Sequence, residues 1–383
     1  MAVTKFGVEE ELLVIDPATR AVVPAAASIL ARARMQVGAR ASAEMTRVQV
    51  EVKTDPCASA SELYEQLRAG RAAMAAAAQA EGMRLIASGS PVLMGDALPP
   101  PLSEGPRYAK GLATFRGLHD EAATCATQVH VEMPDLDRAL RVSNHLRPDL
   151  PVLLALAANS PYWAGRDTGY ASWRSISLGR WPVAGPPPYF TSVAHYEKLV
   201  ASLIDVGALV DKATIFWDVR PSAHLPTLEV RVTDVPITSQ ESALIAALVR
   251  ALVLCAEKAV DRGDRGPAIS AEMLRAAYWR AARDGLDGHG IDLPTGRLVP
   301  AVDLVARLVG RVAPALGSDR ELVISWLGAL LERGSGASRQ RRVAANGKLS
   351  DTVDYLMART VDPPPVSGHM PVAAAARRVH GWR

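Results

Sequence analysis

The segment Val8-Glu9-Glu10-Glu11-Leu12 places three consecutive acidic side chains between apolar ones near the start of the sequence. Successive side chains of a β-strand point to opposite faces, so a strand here puts Glu9 and Glu11 on the same face. The apolar neighbours then occupy the opposite face, where helices can cover them. The segment therefore predicts a strand in a sheet with one acidic face and one covered face.

Three later segments repeat this alternation of polar and apolar side chains. They are Val48-Gln49-Val50-Glu51-Val52-Lys53, Gln128-Val129-His130-Val131-Glu132 and Leu228-Glu229-Val230-Arg231-Val232. A further acid, Glu44, precedes Glu51 by seven positions. If the four strands lie in one sheet, several carboxylates and an imidazole crowd its polar face. Like charges this close repel one another unless cations lie among them, so the pattern predicts a divalent metal site.

The residue types at this predicted site indicate which metal it binds and what kind of ligand lies over the metal. Carboxylates with a single imidazole favour Mg²⁺ or Mn²⁺ over zinc. Arg231 has the wrong charge for a metal ligand and the right charge for a phosphate lying over the metals. The sequence contains no Walker, kinase or dinucleotide glycine motif, and Ser88-Gly89-Ser90-Pro91 is typical of a turn. Any nucleotide is therefore expected to be held by metals and arginines.

Each segment taken alone also has an ordinary explanation. Glu9 and Glu11 are compatible with an exposed strand, and His130 with a hydrogen-bonded histidine inside a sheet. Glu229 and Arg231 are compatible with a surface ion pair of modest value. The repetition of the pattern over four segments favours the metal site, because a solvent-facing strand normally includes lysine, threonine and serine.

Composition excludes several classes of protein. The chain has 383 residues, 49% hydrophobic and 22% charged, with a net charge of +3, which is typical of a globular protein and gives no reason to expect nucleic acid. Three cysteines without paired spacing argue against a disulfide framework and fit a reducing cytoplasm. We expect no signal peptide, and the most apolar window, 243–256, contains Arg250 and is too short to span a bilayer.

Local signals predict an α+β fold with an antiparallel sheet in one domain over 1–383, whose portion 268–383 is mostly helical and packs on the rest. A separate C-terminal domain is an alternative, although no clear linker precedes it. Capping boxes at Ser59/Glu62 and Thr238/Glu241 predict helix starts. Predicted helices cover about 59–81, 137–158, 193–210 and 238–263, with a strand at 84–88. Predicted loops cover 99–101 and 181–188, and a turn-rich insertion covers 285–296.

Several motifs identify a family resemblance that covers nearly the whole chain. They are Phe6-Gly7-Val8-Glu9-Glu10-Glu11-Leu12, Gln49-Val50-Glu51-Val52, Val129-His130-Val131, Gly165 to Ser172, Arg180-Trp181-Pro182, Gly185 to Pro188, Trp217-Asp218-Val219-Arg220-Pro221-Ser222, Thr227 to Val232, Ala281 to Gly288, and Ser335 to Arg341. The sequence resembles the carboxylate–amine ligases of the bacterial type 2 glutamate–cysteine ligase family. That family shares the catalytic fold of glutamine synthetase, whose antiparallel sheet has a carboxylate-lined concave face and helices on the other face.

The resemblance implies an ATP-dependent ligase that joins a carboxylic acid to an amine through an acyl phosphate, with ATP and Mg²⁺ (or Mn²⁺) required. Glutamate is the acid and cysteine the amine that it implies first. It assigns metal binding to six residues: Glu9, Glu11, Glu44, Glu51, His130 and Glu229. It assigns phosphate contact to Arg231 and active-site roles to Arg174 and Arg220. Arg283, Arg339 and Tyr108 are weaker candidates, the two arginines for nucleotide binding.

Four positions depart from the family pattern and leave the substrates open. Gln128 and Glu132 stand where the family usually has histidine and glycine, Ser90 interrupts a Gly-Thr-His-Pro motif, and Arg47 replaces a polar or acidic residue. A non-cysteine amine, a phosphotransferase on the same fold and a catalytically silent regulator remain alternatives. A homodimer is compatible with such a sheet.

Overall fold

The structure is a computed structural model, and it describes residues 3–361. Thirteen strands were assigned: β1 Phe6–Ile15, β2 Ala41–Ala43, β3 Gln49–Lys53, β4 Arg84–Ile86, β5 Ala126–Glu132, β6 Tyr162–Trp163, β7 Arg166–Asp167, β8 Ala184–Gly185, β9 Phe216–Trp217, β10 Val219–Pro221, β11 Thr227–Asp234, β12 His289–Asp292 and β13 Arg297–Pro300.

The described part of the chain also contains thirteen α-helices. They are α1 Ala26–Val37, α2 Ala60–Ala80, α3 Pro106–Phe115, α4 Leu136–Leu146, α5 Leu150–Ala157, α6 Trp173–Leu178, α7 Val193–Asp205, α8 Ser239–Asp261, α9 Ala271–Asp284, α10 Ala301–Val312, α11 Arg320–Arg333, α12 Gly336–Ala345 and α13 Leu349–Thr360. None of these helices is long and apolar enough to cross a membrane.

The four acidic segments form adjacent strands of one antiparallel sheet, which confirms the predicted fold class. Strand order is β10-β11-β5-β1-β3-β2, and β4 also pairs with β1. In this register Glu11 lies opposite Glu51 on β3, and Glu229 lies opposite His130 on β5. The register therefore places the polar side chains of different strands beside one another.

Helices cover the opposite face of this sheet. Val8, Val129 and Val230 are at most 2% exposed and share one hydrophobic core with residues of α2 and α8. The long helix α8 begins with the predicted capping box, in which Thr238 and Glu241 bond reciprocally. A buried helix and an apolar strand face stabilise each other by removing apolar surface from water.

Glu10 is the exception on the covered face, since its side chain is completely buried there. Arg71 of α2 donates to both of its carboxylate oxygens, at 2.9 and 2.6 Å. The same guanidinium donates to the backbone oxygens of Pro236, Ile237 and Thr360. This ion pair therefore joins the central strand to α2, to the segment before α8 and to the end of α13. This ion pair was not among the features predicted from the sequence.

Several predicted elements need correction. The helix predicted over 137–158 is divided into α4 and α5, because Pro148 and Pro151 lack the backbone N–H that a continuous helix uses. The helix predicted to reach 210 ends at Asp205, before Gly207 at φ +74°. At the Ser59 cap, the Glu62 carboxylate accepts from Ala58 N, so the reciprocal half of the predicted capping box is missing.

Between residues 268 and 361 the chain is mostly helical. The turn-rich insertion predicted over 285–296 contains strand β12, which forms a hairpin with β13, with Ile291 opposite Leu298. Alternating side chains on either side of the turn near Gly296 are the signal for that hairpin. Within the predicted loop 181–188, β8 makes a short parallel bridge to β9. The end of the predicted C-terminal portion, 362–383, lies outside the described residues.

Candidate active site

Three of the predicted metal ligands meet on the polar face of the sheet. One carboxylate oxygen from each of Glu11, Glu44 and Glu51 lies within 4.8 Å of the other two. Glu11 and Glu51 are each 4% exposed, and their strands hold them opposite each other. Glu44 reaches the group from the loop between β2 and β3. A cluster of this kind offers oxygen ligands of the type that Mg²⁺ prefers.

Neighbouring polar groups orient the two strand carboxylates. Glu11 accepts from Ala126 N at 2.8 Å and from Gln128 Nε2 at 2.6 Å. Glu51 accepts from Ser42 Oγ at 2.6 Å and pairs with Lys53 Nζ at 2.9 Å. Hydrogen bonds of this kind hold metal ligands in position.

Two departures from the family pattern take on a clearer meaning here. Gln128 donates directly to Glu11, so the change at this position first affects a carboxylate of the acidic cluster. Glu132 is exposed at the end of β5 and accepts from Lys5 N at 3.2 Å. The structure thus separates the two positions, which the sequence pattern had grouped as candidates for reading the substrate.

The loop that carries Glu44 is held by a distant proline-rich segment. Ser103 Oγ donates to Glu44 O at 2.5 Å, and Ser103 N donates to Met45 O at 2.9 Å. Arg47 N donates to Pro101 O at 2.8 Å. The position of Glu44 therefore depends on residues 101–103, whereas the sheet itself positions Glu11 and Glu51.

Burial and mutual repulsion alter the acidity of this cluster. Burial, with the Glu9 carboxylate as a second cause, raises the pKa of Glu51 to about 7. Burial and then the Glu11 and Glu51 charges raise the pKa of Glu44 well above its usual value. Burial also raises the pKa of Glu11, against the opposing effect of Arg174. Three carboxylates that resist ionising together are suited to a bound cation, which removes the repulsion.

We expect this cluster to make the stability of the metal-free protein depend on pH. A carboxyl whose pKa is higher in the folded than in the unfolded state stabilises the fold as it takes up its proton. In EDTA, the thermal midpoint should therefore rise as the pH falls from about 7 towards 4.5. These limits are the pKa of Glu51 in the folded protein, about 7, and its ordinary pKa, 4.5. Protonation of Glu51 is expected to add roughly 1–3 kcal/mol to the free energy of unfolding over this interval.

The E51Q variant provides the control for this pH effect. It should show a smaller rise over the same interval, because glutamine has no proton to gain. Excess Mg²⁺ should raise the midpoint of the unaltered protein at pH 7.5 and flatten its pH dependence. Identical pH profiles for the variant and the unaltered protein in EDTA would contradict the assignment.

Glu9 and His130 form a second group on the same face. His130 Nε2 lies 3.8 Å from Glu9 Oε1, and the other ring nitrogen, Nδ1, is 2.8 Å from Thr227 Oγ1. Among the described residues, the buried Nε2 atom has no hydrogen-bond partner. A histidine fixed through one nitrogen with the other left open is the arrangement that metal ligands adopt. These residues fit a second divalent cation.

Glu229, which the sequence assigns to the metal set, is engaged with arginines. Its carboxylate accepts from Arg220 at 2.8 and 3.1 Å and from Arg231 at 3.0 Å. Burial opposes ionisation, but Arg220 and Arg231 prevail and lower the pKa of Glu229 to about 2. Glu229 is therefore a permanent anion beside His130, and in this arrangement both of its oxygens are shared with guanidinium groups.

Two of the predicted arginines line a cavity of about 40 Å³ together with Glu11 and Glu44. Arg231 keeps its charge, because Glu229 and the nearby acids raise its pKa against the effect of burial. Arg174 donates to the carbonyl oxygens of Arg231 and Val232, where the β11–β5 register shifts. Arg174 thereby supports the irregular backbone that presents Arg231 to the cavity.

Arg283 and Arg339, the two arginines predicted to bind nucleotide, each pair with an acidic side chain. Arg339 donates to the buried Glu241 at 2.8 Å, and Arg283 donates to Asp284 at 2.7 Å. Neither is among the described residues that line the acidic cavity. Tyr108 is closer to the site, since burial and then the Glu44 charge raise the pKa of its hydroxyl. A nucleotide role for Arg283 and Arg339 stays a prediction.

An apolar wall, which was not among the features predicted from the sequence, completes the cavity. Trp181, Phe216, Leu178 and Met45 contribute this wall. Phe216 also stacks against the Arg231 guanidinium, 5.5 Å from its ring centroid. The motif containing Trp181 was visible in the sequence, but its pairing with Phe216 depends on the tertiary structure.

Comparison with solved structures shows which known proteins share this fold. The chain is similar to glutamate–cysteine ligase from Francisella tularensis in complex with AMP, with a TM-score of 0.66 at 12% identity and coverage of 100% of this chain and 92% of that one. It is also similar to a bifunctional glutathione synthetase from Pasteurella multocida, with a TM-score of 0.66 at 14% identity, covering 93% of this chain and 52% of that one. The fold is that of the glutamine synthetase-like carboxylate–amine ligases.

Sequence comparison then gives the family. The model described as glutamate–cysteine ligase family 2 matches residues 5–355. A Nocardia farcinica protein whose assigned name is glutamate–cysteine ligase 2-1 is 43% identical over 377 residues, covering 96% of this chain and 97% of that protein. The chain belongs to glutamate–cysteine ligase family 2, whose members are ATP-dependent C–N ligases.

Proposed function

We propose that this enzyme joins the carboxyl group of glutamate to an amine, with cysteine the first candidate, through an acyl phosphate formed from ATP. The observation that carries the proposal is the convergence of three carboxylates, those of Glu11 and Glu51 buried and that of Glu44 half-buried, with Arg174 and Arg231 lining the same cavity as Glu11 and Glu44. Acids that hold cations, next to arginines that hold phosphate, are the parts that phosphoryl transfer needs.

The two groups of ligands are proposed to hold two Mg²⁺ ions. Glu11, Glu44 and Glu51 would hold one, and Glu9 and His130, with Glu229 beside them, would hold the other. Bound Mg²⁺ supplies neutralisation of the phosphate charge. The cavity of about 40 Å³ has room for ions and one or two waters. The adenosine part of ATP must therefore lie outside it.

The reaction has two chemical steps, and Arg231 and Arg220 act in the first. A carboxylate oxygen of the acid attacks the γ-phosphorus, and the bond to the bridging oxygen of ADP breaks. Arg231 contacts the transferring phosphoryl group, an electrostatic contribution of about 3–4 kcal/mol for a well-placed donor. The amine nitrogen then attacks the acyl carbon, and inorganic phosphate leaves with the electron pair of the broken C–O bond. Arg220 holds the ion pair with Glu229 that keeps Arg231 in place.

An ADP-release assay tests this function. Purified enzyme is incubated with ATP, Mg²⁺ and glutamate, alone and with cysteine, 2-aminobutyrate or hydroxylamine. We expect amine-dependent release of ADP and inorganic phosphate in equal amounts. Failure of every acid and amine pair to raise ADP above background would contradict the proposal. Phosphate transferred to the amine and retained there would identify a phosphotransferase instead.

A further inference from the structure

Lys53, the last residue of β3, lies on the same face of the sheet as Glu51. Side chains two residues apart on a strand point in the same direction, so both belong to the polar face. In the register of β1 and β3, Lys53 lies directly opposite Glu9. The strands therefore bring one lysine side chain to the boundary between the two groups of proposed ion ligands.

The Lys53 ammonium group contacts one carboxylate from each of these groups. Its Nζ donates to Glu9 Oε1 at 3.1 Å, in the group that includes His130. It lies 2.9 Å from Glu51 Oε1, in the cluster of three carboxylates. Both pairs have the length of charge-assisted hydrogen bonds. One positive charge of the chain itself is therefore shared between the two proposed ion sites.

A neutral donor reaches the same oxygen atom of Glu51. Ser42 Oγ donates to Glu51 Oε1 at 2.6 Å. This hydroxyl orients the carboxylate without adding charge, which favours ion binding. The Lys53 ammonium group instead repels any divalent cation that approaches the same carboxylate. The two neighbours of this oxygen atom should therefore affect ion affinity in opposite directions.

The ammonium group can leave these carboxylates without a change in the backbone. The Lys53 side chain is 35% exposed, and its flexible four-carbon stem connects the charge to β3. Lysine is charged throughout the neutral pH range, so the group is a cation whenever an ion approaches. An arriving ion must either displace this charge into solvent or bind beside it.

We propose that Lys53 is a tethered competitor of the divalent cations and sets how tightly the enzyme binds them. This inference rests on the proposed function, in which Glu9 and Glu51 belong to the two ion sites. Displacing the ammonium group and binding beside it both weaken ion binding. The enzyme therefore needs a higher concentration of Mg²⁺ than the same carboxylates would need without Lys53.

Mn²⁺ binding to the nucleotide-free enzyme tests the inference, with free Mn²⁺ measured by electron paramagnetic resonance. K53M should tighten Mn²⁺ binding by about tenfold or more, because it removes the competing charge. S42A removes the neutral bond to the same oxygen atom and should weaken Mn²⁺ binding by roughly tenfold. K198M, at an exposed lysine of α7, is the matched control and should leave the affinity unchanged. Unchanged or weaker binding by folded K53M would overturn the inference.

Two further variants separate the effect of charge from a folding defect, which the thermal midpoint in EDTA would reveal. K53Q removes the charge and keeps a hydrogen-bond donor, so it should also tighten Mn²⁺ binding, and it decides the test if K53M does not fold. K53R keeps the charge and should bind Mn²⁺ within about threefold of the unaltered enzyme. Tightening by K53R equal to that by K53M would overturn the role of the charge.

The same experiment distinguishes failure of this inference from failure of the proposed function. Absence of Mn²⁺ binding from the unaltered enzyme and from every variant would overturn the ion sites, and the role of Lys53 with them. Mn²⁺ binding without ADP release from any acid and amine pair would overturn the ligase activity alone. The affinities of K53M and K53Q would then still decide whether Lys53 competes with the ions.

Discussion

Replacing Glu44 by glutamine is expected to lower ADP release by about 10³ or more. The substitution keeps the size of the side chain and removes one of three carboxylates whose oxygens converge. Without that charge, the site loses much of its attraction for a cation. The metal-free protein should be at least as stable as the original, because burial and the charges of Glu11 and Glu51 already disfavour the ionised form of Glu44. The readouts are steady-state ADP release with Mg²⁺ and the thermal midpoint in EDTA.

The matched control is E104Q, which makes the same chemical change at an exposed acid. It should leave both readouts unchanged, since an isolated exposed charge neither holds an ion nor suffers burial. Retention of more than about a tenth of the activity in E44Q would remove Glu44 from the metal site. A large fall in its thermal midpoint in EDTA would show that Glu44 is needed for folding instead.

The largest effect on stability is expected at Arg71. R71M should lower the free energy of unfolding by about 3–5 kcal/mol, because it would leave the completely buried Glu10 side chain without its ion-pair partner. Three backbone carbonyls would lose donors at the same time. Urea unfolding followed by circular dichroism measures the change.

R68M is the control for the Arg71 prediction, on the same helix and with the same substitution. Arg68 pairs with Glu65, which is 56% exposed, so the change should cost less than about 1 kcal/mol. The double variant R71M/E10Q should recover part of the loss, because the glutamine at position 10 has no charge that needs a partner. Similar unfolding energies for R71M and R68M would show that the buried pair contributes little.

The strands of the sheet were predictable because their side chains alternate with a period of two. This regularity alone predicts that five polar residues share one face: Glu9, Glu11, Glu51, His130 and Glu229. The same rule put Glu10 on the covered face, where a buried acid requires a cation. Arg71 lies in the apolar stripe Leu63-Leu67-Arg71-Met74 of α2, so its pairing with Glu10 had a readable signal.

Other features had no such signal. The approach of Glu44 to Glu11 depends on a loop without periodicity and on bonds to residues 101–103. The pairings of Arg339 with Glu241 and of Arg283 with Asp284 depend on how the C-terminal helices pack. Family motifs indicate which residues recur, but the partner of each charged group is decided by the tertiary fold.

The attachment of the Glu44 loop to residues 101–103 has a consequence for how this enzyme can diverge from its relatives. The sheet fixes Glu11 and Glu51, whereas the position of Glu44 depends on residues 101–103. These residues supply none of the proposed ion ligands. Inherited changes in that stretch can therefore alter which ion is preferred, and how tightly, while every coordinating side chain is retained. Selection can act on cation preference there without first losing the chemistry.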